Sequence, residues 1–413
     1  MTAAEHRPPL SYRLALLAAS PLLATHTIGL AIKSRDSRYL LQKLGFGYSQ
    51  NHPGCVWIHA ASVGEIKAAE PLIQALMGKN LDLVISTNTQ TGAAQLQQID
   101  ERLHHSYLPW DRPNATRSFI KAYRPRCGIV METEIWPNLY WQCSQSGIPL
   151  IIANGRISSR TLNAPTFLRS AYRKALQCVT TILARSAADR EAYLALGAPT
   201  DKVKVYGNLK SCIQPDRARL ADPIGRPYWL AASTHADEEA RIAKIWLEIR
   251  ENRLLVIAPR HPRRSQEVQS HLDALGCRYA ARSLGDALKD DTQIYLVDTI
   301  GELAAFMSHA EWVFMGGSLV PHGGQNILEA AVLGKAIIVG PHMHNFAYEH
   351  EALLKAGGLM EVKDDDELKA ALERLLREPE HRAELGANAS AFMSRQESVL
   401  PAYLSAINTA CGI

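Results

Sequence analysis

Apolar positions along the chain follow two alternating rhythms. From about residue 50 onward, short β-rich runs are separated by stretches with helical spacing, the pattern of a parallel sheet built from βαβ units. In the first half these runs are Cys55–Ala60, Leu81–Thr87, Cys127–Glu132, Ile148–Ala153 and Thr180–Ala184. The stretch "GNLKSCIQPDRARLADPIGRP", Gly207–Pro227, then breaks the rhythm. Rich in Pro, Gly and charge, it reads as an interdomain connection. Strand patterns resume at Tyr228–Ala232, Leu254–Ala258, Gln293–Val297, Trp312–Met315 and Ala336–Val339, with helices such as Asp237–Glu251 and Gln325–Leu333 between them.

Two doubly wound α/β domains facing each other are the economical architecture, with ligands expected at the carboxyl ends of the strands. The tail from Asp366, with "ELKAALERLL" and "SVLPAYLSAI", has helical periodicity and no strand partners, and is expected to pack along the outside. The resulting division is 1–48 for an N-terminal segment, 49–210 for the first domain, 211–226 for a linker, 227–365 for the second domain and 366–413 for C-terminal helices.

The N-terminal segment has a rhythm of its own. Leu14–Ile32, "LALLAASPLLATHTIGLAI", contains no Asp, Glu, Lys or Arg and is about long enough to cross a bilayer as a helix. Arg13 precedes it and Lys33, Arg35 and Arg38 follow, which predicts an uncleaved anchor with the bulk of the protein in the cytoplasm. Pro21 and His26 interrupt the apolar run, so crossing the bilayer and dipping into it both stay open, as does a helix buried in a soluble domain. "RYLLQKLGFGY" beyond it reads as an amphipathic stretch.

Composition narrows the function classes. With 47% apolar and 21% charged residues the 413-residue chain is globular rather than disordered. A formal charge of +4 without a basic, aromatic-rich run does not call for nucleic acid, and an anionic membrane surface or substrate suits it equally. Seven scattered cysteines lack any C-x-x-C spacing, which supports neither a zinc site nor a disulfide framework. G-x-G-x-x-G and P-loop patterns do not follow the first strand of either half, so oxidoreductase and NTPase readings lose their usual support.

Candidate chemistry collects at strand exits. In "HAASVGEIKAAEPLIQAL", His59–Leu76, Ser62 and Glu65 fit a capping box, yet Glu65 also stands where a general base would. "METEIWPN" carries Glu132 and Glu134 past a buried strand; strand alternation would send them to one side, either as functional carboxylates or as partners of Arg124 or Arg126. In the second half the exits are "ASTH" with Ser233 and His235, "APRH" with Pro259, Arg260 and His261, "DTIGEL", "MGGS" with Gly317, and "GPH" with His342. "GGQNILEAA" opens a helix whose N–H groups favour an anion such as phosphate, and the two oxygens of Glu329 could accept both hydroxyls of a ribose. Arg260 suits a phosphate or carboxylate, with Lys210 of "GNLK" as a second cation or a solvated linker lysine.

Together "WIHAASVGE", "METEIWPNL", "GIPLIIANGRIS", "YGNLK", "APRHPRR", "DTIGEL" and "GGSLVPHGGQNILEAAVLGKAIIVGPHMHNF" resemble the Kdo (3-deoxy-D-manno-octulosonic acid) transferases of lipopolysaccharide assembly. The resemblance implies a GT-B glycosyltransferase on the cytoplasmic face of the inner membrane. It would move Kdo from CMP-Kdo to the lipid A precursor (lipid IVA), inverting the anomeric centre without a metal or other cofactor. Carried over residue by residue, Glu65 resembles the general base, and Glu134 and Lys210 resemble residues that support the transition state. CMP would be held by Pro259 and Arg260, by Ile300, Gly301 and Glu302, and by Asn326, Ile327, Leu328 and Glu329, with Ser233, His235 and Gly317 beside them. Gln325 stands where the family pattern has histidine, and Met343-His344 where it has Thr-Phe. A helix N-terminus would keep Glu65 ionised and lower its basicity. A UDP-sugar transferase, a sugar-nucleotide epimerase and a non-catalytic membrane scaffold are the rival readings.

Overall fold

The computed structural model describes residues 6–212, 221–249, 252–395 and 398–413. Residues 213–220 of the expected linker, and Glu251 at the end of one expected helix, lie outside them. The chain forms two compact units, residues 1–213 with 398–413 and residues 214–397.

In the first unit seven strands form a sheet: β1 Val56–His59, β2 Leu83–Thr87, β3 His104–Tyr107, β4 Cys127–Met131, β5 Leu150–Gly155, β6 Thr181–Ala184 and β7 Val203–Val205, in the order β3-β2-β1-β4-β5-β6-β7. Every pairing is parallel. β1, β2, β4 and β5 are buried along their whole length, as strands covered by helices on both faces must be. Chain direction switches between β1 and β4, where Val56 pairs with Cys127 and His59 with Val130. Their carboxyl ends therefore lie side by side, the position where doubly wound sheets place their ligands.

The second unit repeats the plan with β8 Tyr228–Thr234, β9 Leu254–Pro259, β10 Tyr279–Ala281, β11 Ile294–Leu296, β12 Trp312–Met315, β13 Ala336–Val339 and β14 Leu359–Glu361, in the order β10-β11-β9-β8-β12-β13-β14. Its switch point lies between β8 and β12. The C-terminal tail is divided: helices Asp365–Arg377 and Pro379–Ser394 belong to the second unit, and Val399–Cys411 returns to the first, where the Tyr403 hydroxyl donates to Leu183 O and Gly207 O.

Three helices frame the first site. α1, Leu10–Ser34, is long and apolar enough to cross a membrane. Only a narrow face, including Tyr12, Thr27 and Ala31, is buried, while Leu10, Leu14, Leu17, Leu22 and Ile32 are exposed. Both ends are tied to the first unit: Lys174 Nζ donates to Arg7 O at 3.2 Å and Tyr12 OH to Asp111 at 2.8 Å at the start, and Gln90 bonds Ser34 at the finish. α2, Ser37–Leu44, is capped by Asp36, which accepts from Tyr39 N at 3.1 Å, and ends at Gly45 with φ 96°, a conformation glycine adopts without strain. α3, Val63–Met77, begins at the exit of β1.

Candidate active site

Glu65 occupies the first turn of α3. Its Oε2 accepts the Ala61 N–H at 2.7 Å, and its Oε1 has only a 3.5 Å contact from the Ser62 hydroxyl. Ser62 makes no side-chain cap in return, so the capping box is half-formed: one carboxylate oxygen steadies the turn and the other is left to accept a proton. Burial pushes the Glu65 carboxyl up to about 8, with Glu134 and Glu132 adding to the rise and the Ala61 N–H and Lys210 opposing it. The helix N-terminus does not decide its ionisation, contrary to the sequence-based expectation; desolvation and like charge outweigh it.

The two acidic neighbours are held differently. β4 stops at Met131, and Glu132 adopts a left-handed backbone, φ 53°, so strand alternation does not govern the pair. Glu132 forms an ion pair with Lys210 at 2.9 Å. Glu134 accepts from Asn88 Nδ2 at 3.1 Å and Trp136 Nε1 at 3.0 Å, and its Oε2 lies 3.6 Å from His59 Nε2. These partners, rather than the Arg124 or Arg126 of the alternative reading, hold the two carboxylates. Buried tyrosines fix the loop, Tyr193 OH donating to Glu132 O at 3.0 Å and Tyr140 OH to Glu134 O at 2.7 Å. Burial works to raise Glu134, but His59, Trp136 and Lys43 outweigh it and hold the carboxyl below its ordinary value. One carboxyl raised and its neighbour lowered is an acid–base division of labour.

Lys210 sits on a short 3₁₀ turn, Leu209–Cys212, set by Asn208 Oδ1 accepting Lys210 N at 3.0 Å and Asn154 Oδ1 accepting Leu209 N at 3.0 Å. Local sequence pattern does not single out Lys43, His59, Asn88 or Asp111. Burial pushes Lys43 down to about 7 against the pull of Glu134. Its one visible signal is a lysine on the apolar side of "RYLLQKLGFGY".

In the second unit the strand exits assemble around another carboxylate that the motifs do not reveal. Glu238, fully buried, accepts from the backbone N–H of Gly317, Ser318, Leu319 and His235 at 2.7–3.0 Å. It thereby fixes the "MGGS" loop and the "ASTH" exit to each other. Gly316 is required there, since a Cβ would lie 2.5 Å from Thr234 Cα. Ser233 has φ 53° at a register shift between β8 and β9. The His235 ring stacks on His322 at 4.3 Å and its Nε2 meets Gln325 Nε2 at 3.0 Å. Burial first, then His322, His261 and the nearby arginines, lower His235 to about 4. A neutral imidazole can accept from the Gln325 amide, which gives the departure at Gln325 a local role.

The helix read over Gln325–Leu333 begins only at Leu328 and ends at Val332. Asn326 Oδ1 already accepts the Leu328 N–H at 3.3 Å and Asn326 Nδ2 donates to Glu329 at 3.1 Å, so the anion-attracting N-terminus inferred from sequence is largely occupied by its own chain. Ile327 and Leu328 are buried in the core; toward a nucleotide they offer backbone rather than side chain. Glu329 is exposed. Pro259 ends β9, and Arg260 beyond it is exposed, with its backbone N–H on Thr234 O at 2.9 Å. Ile300 is 87% exposed ahead of Gly301, φ 95°. Glu302 is paired with Arg282 at 2.6 Å, which holds it below the ordinary carboxylate range. Among the described residues no group of three His, Cys, Asp or Glu is placed to hold a metal ion.

Residues 38–213 match the family described as 3-deoxy-D-manno-octulosonic-acid transferase (kdotransferase). A 3-deoxy-D-manno-octulosonic acid transferase of Haemophilus influenzae is 34% identical over 393 residues, covering 91% of this chain and 92% of its own length. The chain belongs to the Kdo transferase family. Solved structures agree on the fold. A Rickettsia africae glycosyltransferase superposes with a TM-score of 0.62 at 14% identity over 87% of this chain and 99% of its own. The UDP-GlcNAc 2-epimerase of Neisseria meningitidis gives the same TM-score of 0.62 at 14% identity over 86% and 99%. Both halves are thus α/β domains, as the strand pattern implies, and of the GT-B-like kind that the family resemblance implies. Shared fold does not separate this Kdo transferase family member from an epimerase; the homology and the site must do that.

Proposed function

We propose that the protein is an inverting glycosyltransferase that moves Kdo from CMP-Kdo to the lipid A precursor, lipid IVA, by a metal-independent single displacement. The observation that carries the mechanism is the Glu65 carboxyl, raised to about 8 beside Glu132 and Glu134, with one oxygen free of a close partner. A sugar hydroxyl is a poor nucleophile until a base removes its proton in the transition state. Ionised Glu65 takes that proton as the acceptor oxygen bonds to the anomeric carbon of Kdo. The bond from that carbon to the CMP phosphate breaks in the same displacement, and CMP leaves with the electron pair. Glu134 and the Lys210–Glu132 pair set the field around Glu65 and support the transition state. In the second unit Arg260, Ser233, His235, Gly317, the Ile300–Glu302 loop and the Asn326–Glu329 segment hold the nucleotide.

The membrane face of this reading rests on α1. A 25-residue helix is about 37 Å long, and this one is fastened to the first unit at both ends with its leucines outward. That arrangement favours a helix lying in the cytoplasmic interface of the inner membrane with its outer face in lipid, and it delivers the catalytic unit to a lipid acceptor.

The test is transfer by the purified protein, read by mass spectrometry as the gain of Kdo by lipid IVA, with and without EDTA, alongside thermal stability with CMP and with UDP. Transfer unaffected by EDTA, with stabilisation by CMP alone, supports the reading. Stabilisation by UDP alone moves it to a UDP-sugar enzyme, and a response to neither nucleotide with no transfer supports a scaffold.

A further inference from the structure

Asn88 stands between Thr87, the last residue of β2, and Thr89, which caps the next helix, Gln90–Ile99, by accepting Gly92 N at 3.1 Å. Its backbone is thereby fixed on both sides, and three of its groups reach other parts of the site. The main-chain N–H donates to Ala61 O at 3.1 Å, and the N–H of the same Ala61 donates to Glu65 Oε2 at 2.7 Å. The side-chain Nδ2 donates to Glu134 Oε2 at 3.1 Å, and Oδ1 accepts from the buried Lys43 Nζ at 2.9 Å. A carboxylate only accepts and an ammonium only donates, so a single orientation of the amide serves both. In Asn88 Oδ1, Lys43 has the acceptor that a buried ammonium requires. Trp136 Nε1, the second donor to Glu134 Oε2, lies two residues from Glu134 in the same loop and moves with it. Asn88 instead ties that carboxylate to another strand exit and, through Ala61, to the exit that carries Glu65.

We propose that Asn88 is a positioning residue of the transfer reaction, its amide wedged between the Lys43 ammonium and the Glu134 carboxylate and its N–H on Ala61, so that Glu65 and Glu134 keep one fixed arrangement. The proposal rests on the Kdo-transfer reading above, and Asn88 acts through Glu134 rather than on substrate. Asparagine suits the place because it offers a donor and an acceptor on one short, planar group, and both of its bonds are charge-assisted. Aspartate would set a second carboxylate against Glu134, and alanine would leave Glu134 and Lys43 each without that partner while keeping the main-chain bond to Ala61. Asn88→Ala therefore removes the amide alone.

The test is a mutant cycle on the full chain in mixed micelles with CMP-Kdo and lipid IVA, placing Asn88→Ala and Asn88→Asp in the wild-type and Glu134→Gln backgrounds. Asn88→Ala should lower kcat by about tenfold, the scale of one charge-assisted bond, with both KM values within about twofold of wild type. Asn88→Asp should lower kcat further. In the Glu134→Gln background Asn88→Ala should cost less than about twofold, because the charge that the amide holds is gone. Wild-type kcat in Asn88→Ala, an equal loss in both backgrounds, or a loss carried by KM alone overturns the proposal. Should Asn88→Ala not fold, Asn88→Ser takes its place. A carbon-13 NMR titration of the Glu134 carboxyl, assigned by its absence from Glu134→Gln, reads the same contact without turnover. Losing a donor to the charged form should move that titration to higher pH in Asn88→Ala, and an unmoved titration overturns the hold on Glu134. A wild type that transfers no Kdo while its Glu134 titration moves in Asn88→Ala counts against Kdo transfer and leaves Asn88 as the residue that holds Glu134.

Discussion

At the scale of residues the first unit sets three carboxylates against two cations and a histidine, and their unequal surroundings divide the work. Glu65 is raised because it is desolvated and faces Glu134 and Glu132; Glu134 is lowered because His59, Trp136 and Lys43 stabilise its charge. A base must be ionised to act, so kcat/KM for the acceptor should rise with pH along an acid limb near pH 8 set by Glu65. Glu134→Gln removes a negative neighbour and should move that limb to lower pH. Lys210→Met removes an opposing cation and should move it higher while lowering the rate by about 10²-fold, the scale of a lost electrostatic contact in a transition state. Initial rates over pH 5–10 for the three proteins check both directions, and a limb that ignores both substitutions assigns the titration to another group.

At the scale of elements, legibility in the sequence tracks burial. Interior strands such as β4 and β12 are unbroken apolar runs and are readable to within a residue or two. The four strands that no apolar run announces, β3 "HHSY", β7 "VKV", β10 "YAA" and β14 "LME", are the outermost strands of the two sheets. An edge strand is short and half-solvated, and its residues carry little strand signal. Glu65, Glu134 and Lys210 could be named as candidates because they sit in local motifs; Lys43, Asn88, Asp111 and Glu238 could not, because what defines them is contact across tens of residues, as with Glu238 and Gly317 or Tyr12 and Asp111. Two predictions belong here. Removing the acceptor at Glu238→Ala strands several backbone donors at roughly 1–3 kcal/mol each, so amide hydrogen exchange at Gly317, Ser318 and Leu319 should accelerate by about 10²-fold or more; unchanged exchange would mean the loop holds itself. Leu14→Glu with Leu22→Glu places charge on the outer face of α1 and should release the protein from anionic vesicles in a flotation assay without altering CMP binding, since about 1.5–3 kcal/mol is lost per leucine withdrawn from the apolar phase. Retention of the double variant on vesicles would move the membrane contact elsewhere.

At the scale of the whole molecule, each unit gathers its candidate residues at and beyond the carboxyl ends of its strands, β1, β4 and β7 in one and β8, β9, β11 and β12 in the other, and the proposed base belongs to the first. Holding that base carries a stability consequence with a definite sign. The Glu65 carboxyl stands at about 8 in the folded chain against an ordinary 4.5, so the native state binds the proton more tightly than the unfolded chain does. Its contribution is fully present below pH 4.5 and is lost as pH rises through 8. Wild type should therefore lose Tm relative to Glu65→Gln between pH 6 and pH 9, and parallel curves would show that Glu65 is not raised. The most direct test of the account is the activity of that same variant. Glutamine keeps an oxygen for the Ala61 N–H but does not take a proton from a sugar hydroxyl. Glu65→Gln should lower Kdo transfer from CMP-Kdo to lipid IVA by about 10²–10⁴-fold, with Tm at pH 7 and CMP binding retained. Transfer within a few-fold of wild type, in a folded variant, would contradict the account and leave Glu65 as the residue that holds the first turn of α3.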